Sequence, residues 1–110
     1  MKNVDYLDSL IHSDNERDIL RALLTISMNN IDYEKAIIFI KMHISAKNNN
    51  VRRVAILCLG HVARVYRKMD IEIFLPILLR EAKNDDQAIA ATALEVLEDF
   101  KIFLDSSGAT

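Results

Sequence analysis

The chain has 110 residues, 51% of them apolar and 27% charged, a globular balance that excludes a disordered chain. Two Gly and one Pro are too few for the turns of an all-β fold. Fourteen Lys and Arg against sixteen Asp and Glu leave a formal net charge of −2, which excludes nucleic-acid binding through overall positive charge.

Apolar residues recur at helical spacing throughout and predict six helices. The first covers about 3–11, with Val4, Leu7 and Ile11 on one face. Ser13 and Glu16 have capping-box spacing and open a second helix over about 14–28. Asn29 and Asn30 break it, and Asp32 caps a third helix, about 33–46. After Asn48-Asn49-Asn50 comes a fourth, about 51–68. Asp70 caps the fifth, about 71–83, and the sixth fills about 86–104. Short joins make neighbouring helices roughly antiparallel. The expectation is one domain over 1–104 and a disordered tail, D-S-S-G-A-T, over 105–110.

Breaks at Asn15, Asn48–Asn50 and Asn84–Asp86 recur every 33 to 36 residues, a period that suggests stacked helix pairs. An offset of 33 matches Ala22, Thr25 and Ile26 to Ala55, Cys58 and Leu59. An offset of 35 then matches Ala55, Cys58, Leu59 and Val62 to Ala90, Ala93, Leu94 and Leu97. Small residues let helices approach, and the aliphatic residue fills the next gap.

V-R-R-V-A-I-L-C-L-G, residues 51–60, resembles the second helix of a HEAT repeat, and Leu75-Pro76-Ile77-Leu78-Leu79 resembles the first. The resemblance covers about residues 14–104 and implies an all-α fold, a short solenoid of about three HEAT-like pairs. In repeats one and three, Asp18-Ile19 and Asp86-Gln87 replace Val51-Arg52. The runs C-L-G-H-V-A-R-V-Y-R-K-M-D and A-T-A-L-E-V-L-E-D-F resemble a small bacterial family of single-domain HEAT-like proteins. Its members stand beside polymorphic toxins, and several small helical proteins of this general kind serve as immunity proteins in contact-dependent growth inhibition. The function implied is binding and neutralising a toxin domain.

Little in the residues points to catalysis. Cys58 and His61 stand three apart on one helix, but Cys58 occupies a core position of the repeat, where a thiol is inert packing. His12, His43 and His61 fall on separate helices without a second ligand, so neither a metal nor another cofactor is expected. The single cysteine, and Asp5 and Asp8 where a signal peptide needs an apolar run, read as a cytoplasmic protein. The longest apolar run, Val54 to Leu59, is far too short for a membrane span.

Charge is unevenly spread. Residues 21–80 hold ten basic and four acidic side chains, between an acidic start and an acidic end. With Val51, Val54, Ala55, Cys58, Leu59 and Val62 as the buried stripe, Arg53, Leu57, Gly60, His61, Arg64 and Lys68 lie nearer the open side. The resemblance places them on the concave surface, beside Ala88, Thr92, Glu95 and Asp99 of the last helix. Glu95, Glu98 and Asp99 form a carboxylate cluster suited to a partner's Lys or Arg, and Asp85 and Asp86 are expected to deepen its field. The candidate partner-binding residues are therefore Arg53, His61, Arg64, Asp85, Asp86, Glu95, Glu98 and Asp99. A nuclease partner fits, because its substrate groove must be basic. Two alternatives stay open: a HEAT-like scaffold or dimerisation module, and nucleic-acid binding through Arg52, Arg53, Arg64, Arg67 and Lys68.

Overall fold

The computed structural model describes residues 2–104, with side chains from Tyr6 onward. The tail expected to be disordered and the side chain of Val4 lie outside the described residues. Among the described residues six helices make an all-α fold: α1 (Lys2–Ile11), α2 (Glu16–Met28), α3 (Tyr33–His43), α4 (Asn49–Tyr66), α5 (Ile71–Glu81) and α6 (Gln87–Phe103). No strand occurs among the described residues.

The helix starts follow the capping chemistry, with two corrections. Asn15, not Ser13, caps α2, accepting from the amides of Arg17 and Asp18. The Ser13 hydroxyl instead accepts from Asn15 N at 3.0 Å and donates to Asp18 Oδ2 at 2.9 Å, so the expected capping box is not made. Asp32, Asn48 and Asp86 cap α3, α4 and α6 with their side-chain oxygens. Asp70 stands before α5 but makes no side-chain cap; its carboxylate accepts from Tyr33 Oη at 2.7 Å. Helix α4 ends at Tyr66, two residues early, because Arg67 turns left-handed at φ 57°. That conformation costs a non-glycine residue roughly 1–2 kcal/mol. It is supported by the Arg67 guanidinium, 5.1 Å from the Phe103 ring centroid, and by a bond from Nε to Arg64 O at 3.1 Å.

Helices α2, α4 and α6 lie side by side and run parallel. At their starts, Asn48 and Asn50 donate to Glu16, and Asn49 donates to Asp86. At the far end, Tyr66 donates to the carbonyl of Ile26 at 2.9 Å and accepts from Asp32 N. Helices α1, α3 and α5 each pack on the even helix that follows. The molecule measures 40 × 33 × 17 Å, and the short dimension is about two helix spacings of 8–10 Å.

Between the second and third pairs, the period is longer than the expected 35. Counted from the caps Asn48 and Asp86 it is 38, and burial then repeats: Val51 with Ile89, Val54 with Thr92, Ala55 with Ala93, Cys58 with Val96 and Val62 with Phe100. Leu94, expected to repeat the core residue Leu59, is 55% exposed. The offset of 33 between α2 and α4 holds, with Ala22, Leu23, Ile26 and Ser27 buried like Ala55, Ile56, Leu59 and Gly60.

Candidate surface on helices 4 and 6

Helices α4 and α6 meet most closely at Gly60. A Cβ there would run into the Asp99 carboxylate and touch Val96, so glycine is what lets Asp99 lie against the α4 backbone. Gly60, expected on the open side, is therefore buried. So is Thr92, whose hydroxyl donates to Ala88 O at 2.8 Å.

His61 stands beside this notch, half-buried, and its Nδ1 accepts from Arg64 Nη2 at 2.9 Å. Burial lowers the affinity of His61 for a proton, and the Arg64 guanidinium lowers it further; the Asp99 charge opposes both. The ring is thus neutral at neutral pH. Asp99 is shifted the other way. Burial raises its carboxyl above the usual range, Glu95 and Glu98 add to the rise, and His61 and Arg64 oppose it. These influences join His61, Arg64, Glu95, Glu98 and Asp99 into one patch on two helices, with Arg64, Glu95 and Glu98 exposed.

The other candidates lie apart. Arg53 is half-buried and two turns back along α4, about 12 Å from His61. Asp85 and Asp86 sit at the opposite end of α6, about 20 Å from Asp99 along the helix and beyond the roughly 8 Å screening length of physiological salt. They do not deepen the field of the carboxylate cluster. Asp86 is occupied as the α6 cap and as acceptor for Asn49.

Several of the basic side chains are engaged within the fold. Lys68 Nζ lies 4.4 Å from the Tyr33 ring centroid, and Arg67 covers Phe103. Arg52 bonds Glu81 at 2.6 Å. Glu81 is 1% exposed, and it also accepts from Arg80 and Asn84. Burial works to raise its carboxyl, but the bonds from Arg52, Asn84 and Arg80 outweigh it and hold the carboxyl below its ordinary range. Sequence reasoning missed this network, although Phe74, Leu78 and Glu81 share one helical face. Cys58 is buried, and burial pushes its thiol up to about 12, against a lowering by Ser27. Among the described residues, no group of three or more His, Cys, Asp or Glu could hold a metal ion. No helix there is long and apolar enough to cross a membrane.

Comparison with known proteins gives one informative match. A chain in the crystal structure of a CDI complex from Cupriavidus taiwanensis LMG 19424 is 31% identical to this one. The match covers 90% of this chain and 88% of the other, with a TM-score of 0.76. The chain belongs to that protein's family. No family model and no curated protein matches it.

Proposed function

We propose that the chain is an immunity protein of a contact-dependent growth inhibition system, acting in the cytoplasm by binding a toxin domain and covering its active site. The observation that carries this reading is the 31% identity, over 90% of the chain, to a chain of a CDI complex. The parallel order of α2, α4 and α6 supports reading the fold as a short HEAT-like solenoid, whose even helices offer one continuous surface.

The binding face proposed is the patch of His61, Arg64, Glu95, Glu98 and Asp99. Alternating charge of this kind fixes register and speeds encounter more than it adds raw affinity. Its carboxylates suit a partner whose substrate groove is lined with Lys and Arg, as a nuclease groove is. The role is steric, with no chemical step assigned to the chain: the thiol at position 58 is buried and held protonated.

The test is titration calorimetry against the toxin domain encoded beside the gene, with wild type and with the doubly reversed variant Glu95→Lys/Asp99→Lys. The variant is expected to keep its helical spectrum and lose at least tenfold in affinity. Unchanged affinity rejects this face; no binding by wild type rejects the reading.

A further inference from the structure

A second surface lies at the end of the stack; it shares Glu98 with the proposed toxin face but is argued without the toxin reading. One stripe repeats along the even helices at the cap-to-cap offsets: Leu23 and Ser27 in α2, then Ile56, Gly60 and Ala63 in α4. All five are buried, and contacts run from α2 to α4 and from α4 to α6. In α6 the stripe becomes Leu94, Glu98 and Lys101, and no further even helix follows among the described residues. Leu94 is 55% exposed there. Helix α5 adds Ile71, Leu75 and Leu79 at four-residue spacing, all exposed. Together with Leu97 they line an apolar groove of about 470 Å³.

We infer that this end pairs with the same end of a second copy of the chain, across a two-fold axis. Three observations choose that occupant. The uncovered stripe is the one that buries pair against pair inside the molecule, so a packed helix pair is what it fits. The opposite end is less apolar: among the described side chains of α1 and α2 only Tyr6 and Met28 are exposed large hydrophobics, against Ile71, Ile73, Leu75, Leu79, Leu94 and Ile102 on α5 and α6. Head-to-tail stacking would therefore set a strongly apolar face on a less apolar one, whereas a two-fold axis sets like on like. Finally, the rim is self-complementary. Glu98 and Lys101 form a loose, exposed pair at 3.9 Å. An axis passing between them places each Glu98 opposite Lys101 of the second copy.

The test is light scattering on the full chain over a concentration series. Wild type is expected to approach twice the 12.6 kDa chain mass. Leu79→Glu and Leu94→Glu, at positions 53% and 55% exposed, are expected to stay at the single-chain mass with unchanged helicity. Glu98→Lys and Lys101→Glu should each weaken the dimer, and their combination should restore it. Wild type remaining at single-chain mass overturns the inference. So does a dimer that survives both Leu substitutions, or a combined charge swap that fails to recover. Loss of toxin binding by Leu94→Glu from a monomeric wild type would assign the groove to the toxin instead.

Discussion

The Asp99 carboxylate occupies the space that any side chain at position 60 would need. Mid-helix glycine costs about 1 kcal/mol relative to alanine. Gly60→Ala gains that propensity but forces Asp99 to rotate away from α4. The expected result is a stability change within about 1 kcal/mol, because the displaced group is the mobile end of a half-buried side chain. On the proposed function, affinity for the toxin domain should fall clearly, since Asp99 then leaves His61. Equal small effects on both would mean that Gly60 serves packing alone.

Asp99 also predicts a pH dependence. Its folded carboxyl sits above the ordinary 3.8, chiefly through burial, so the native state binds more protons than the unfolded state between those two values. Stability from this group is whole below 3.8 and lost as pH rises through the folded value. Asp99→Asn should therefore raise the melting temperature at neutral pH, and the gain should vanish in acid below 3.8. Thermal melts across pH check this. If the proposed face is the one that binds, the same variant should also bind the toxin domain less well, an opposition between stability and function.

Glu81 has the opposite sign. Its folded carboxyl lies below 4.5, so its contribution is whole above 4.5 and lost as pH falls through the folded value. Glu81→Gln should cost about 2–3 kcal/mol at neutral pH, below the 3–5 kcal/mol of a fully buried pair, because Arg52 is 25% exposed. Urea unfolding measures it. The difference from wild type should shrink in acid.

The helices were legible because capping and periodicity are local. Asn48 and Asp32 announce their helices by side-chain chemistry alone. The register of the third pair was not, because matching Leu59 to Leu94 rewards chemical likeness, whereas the packing follows the caps three residues later. The candidate face was half legible. Three carboxylates at helical spacing could be read in α6, but Asp99 meeting Gly60 is set by how two helices approach. Charge counts along the chain missed that Arg52 pairs with buried Glu81 and that Arg67 and Lys68, still exposed, lie over the Phe103 and Tyr33 rings. A linear count treats every cation as free, whereas these three are engaged by residues far off in the chain.

The join between the first two pairs makes the final prediction. Tyr66 Oη donates to Ile26 O at 2.9 Å and accepts from Asp32 N at 3.2 Å, and its ring meets Tyr33 edge-on at 5.7 Å. Burial raises the Tyr66 phenol above its ordinary range, so it remains a donor at neutral pH. Tyr66→Phe keeps the ring contact but leaves one carbonyl and one amide half-buried without that partner. The expected loss is about 1–3 kcal/mol, read as a lower urea midpoint at unchanged slope. Tyr33→Phe removes the bond to Asp70, which ties the ring partner of Tyr66 to the start of the third pair. If the join acts as a unit, the double variant should lose less than the two single losses together. Strict additivity would show that the two hydroxyls hold their connections independently.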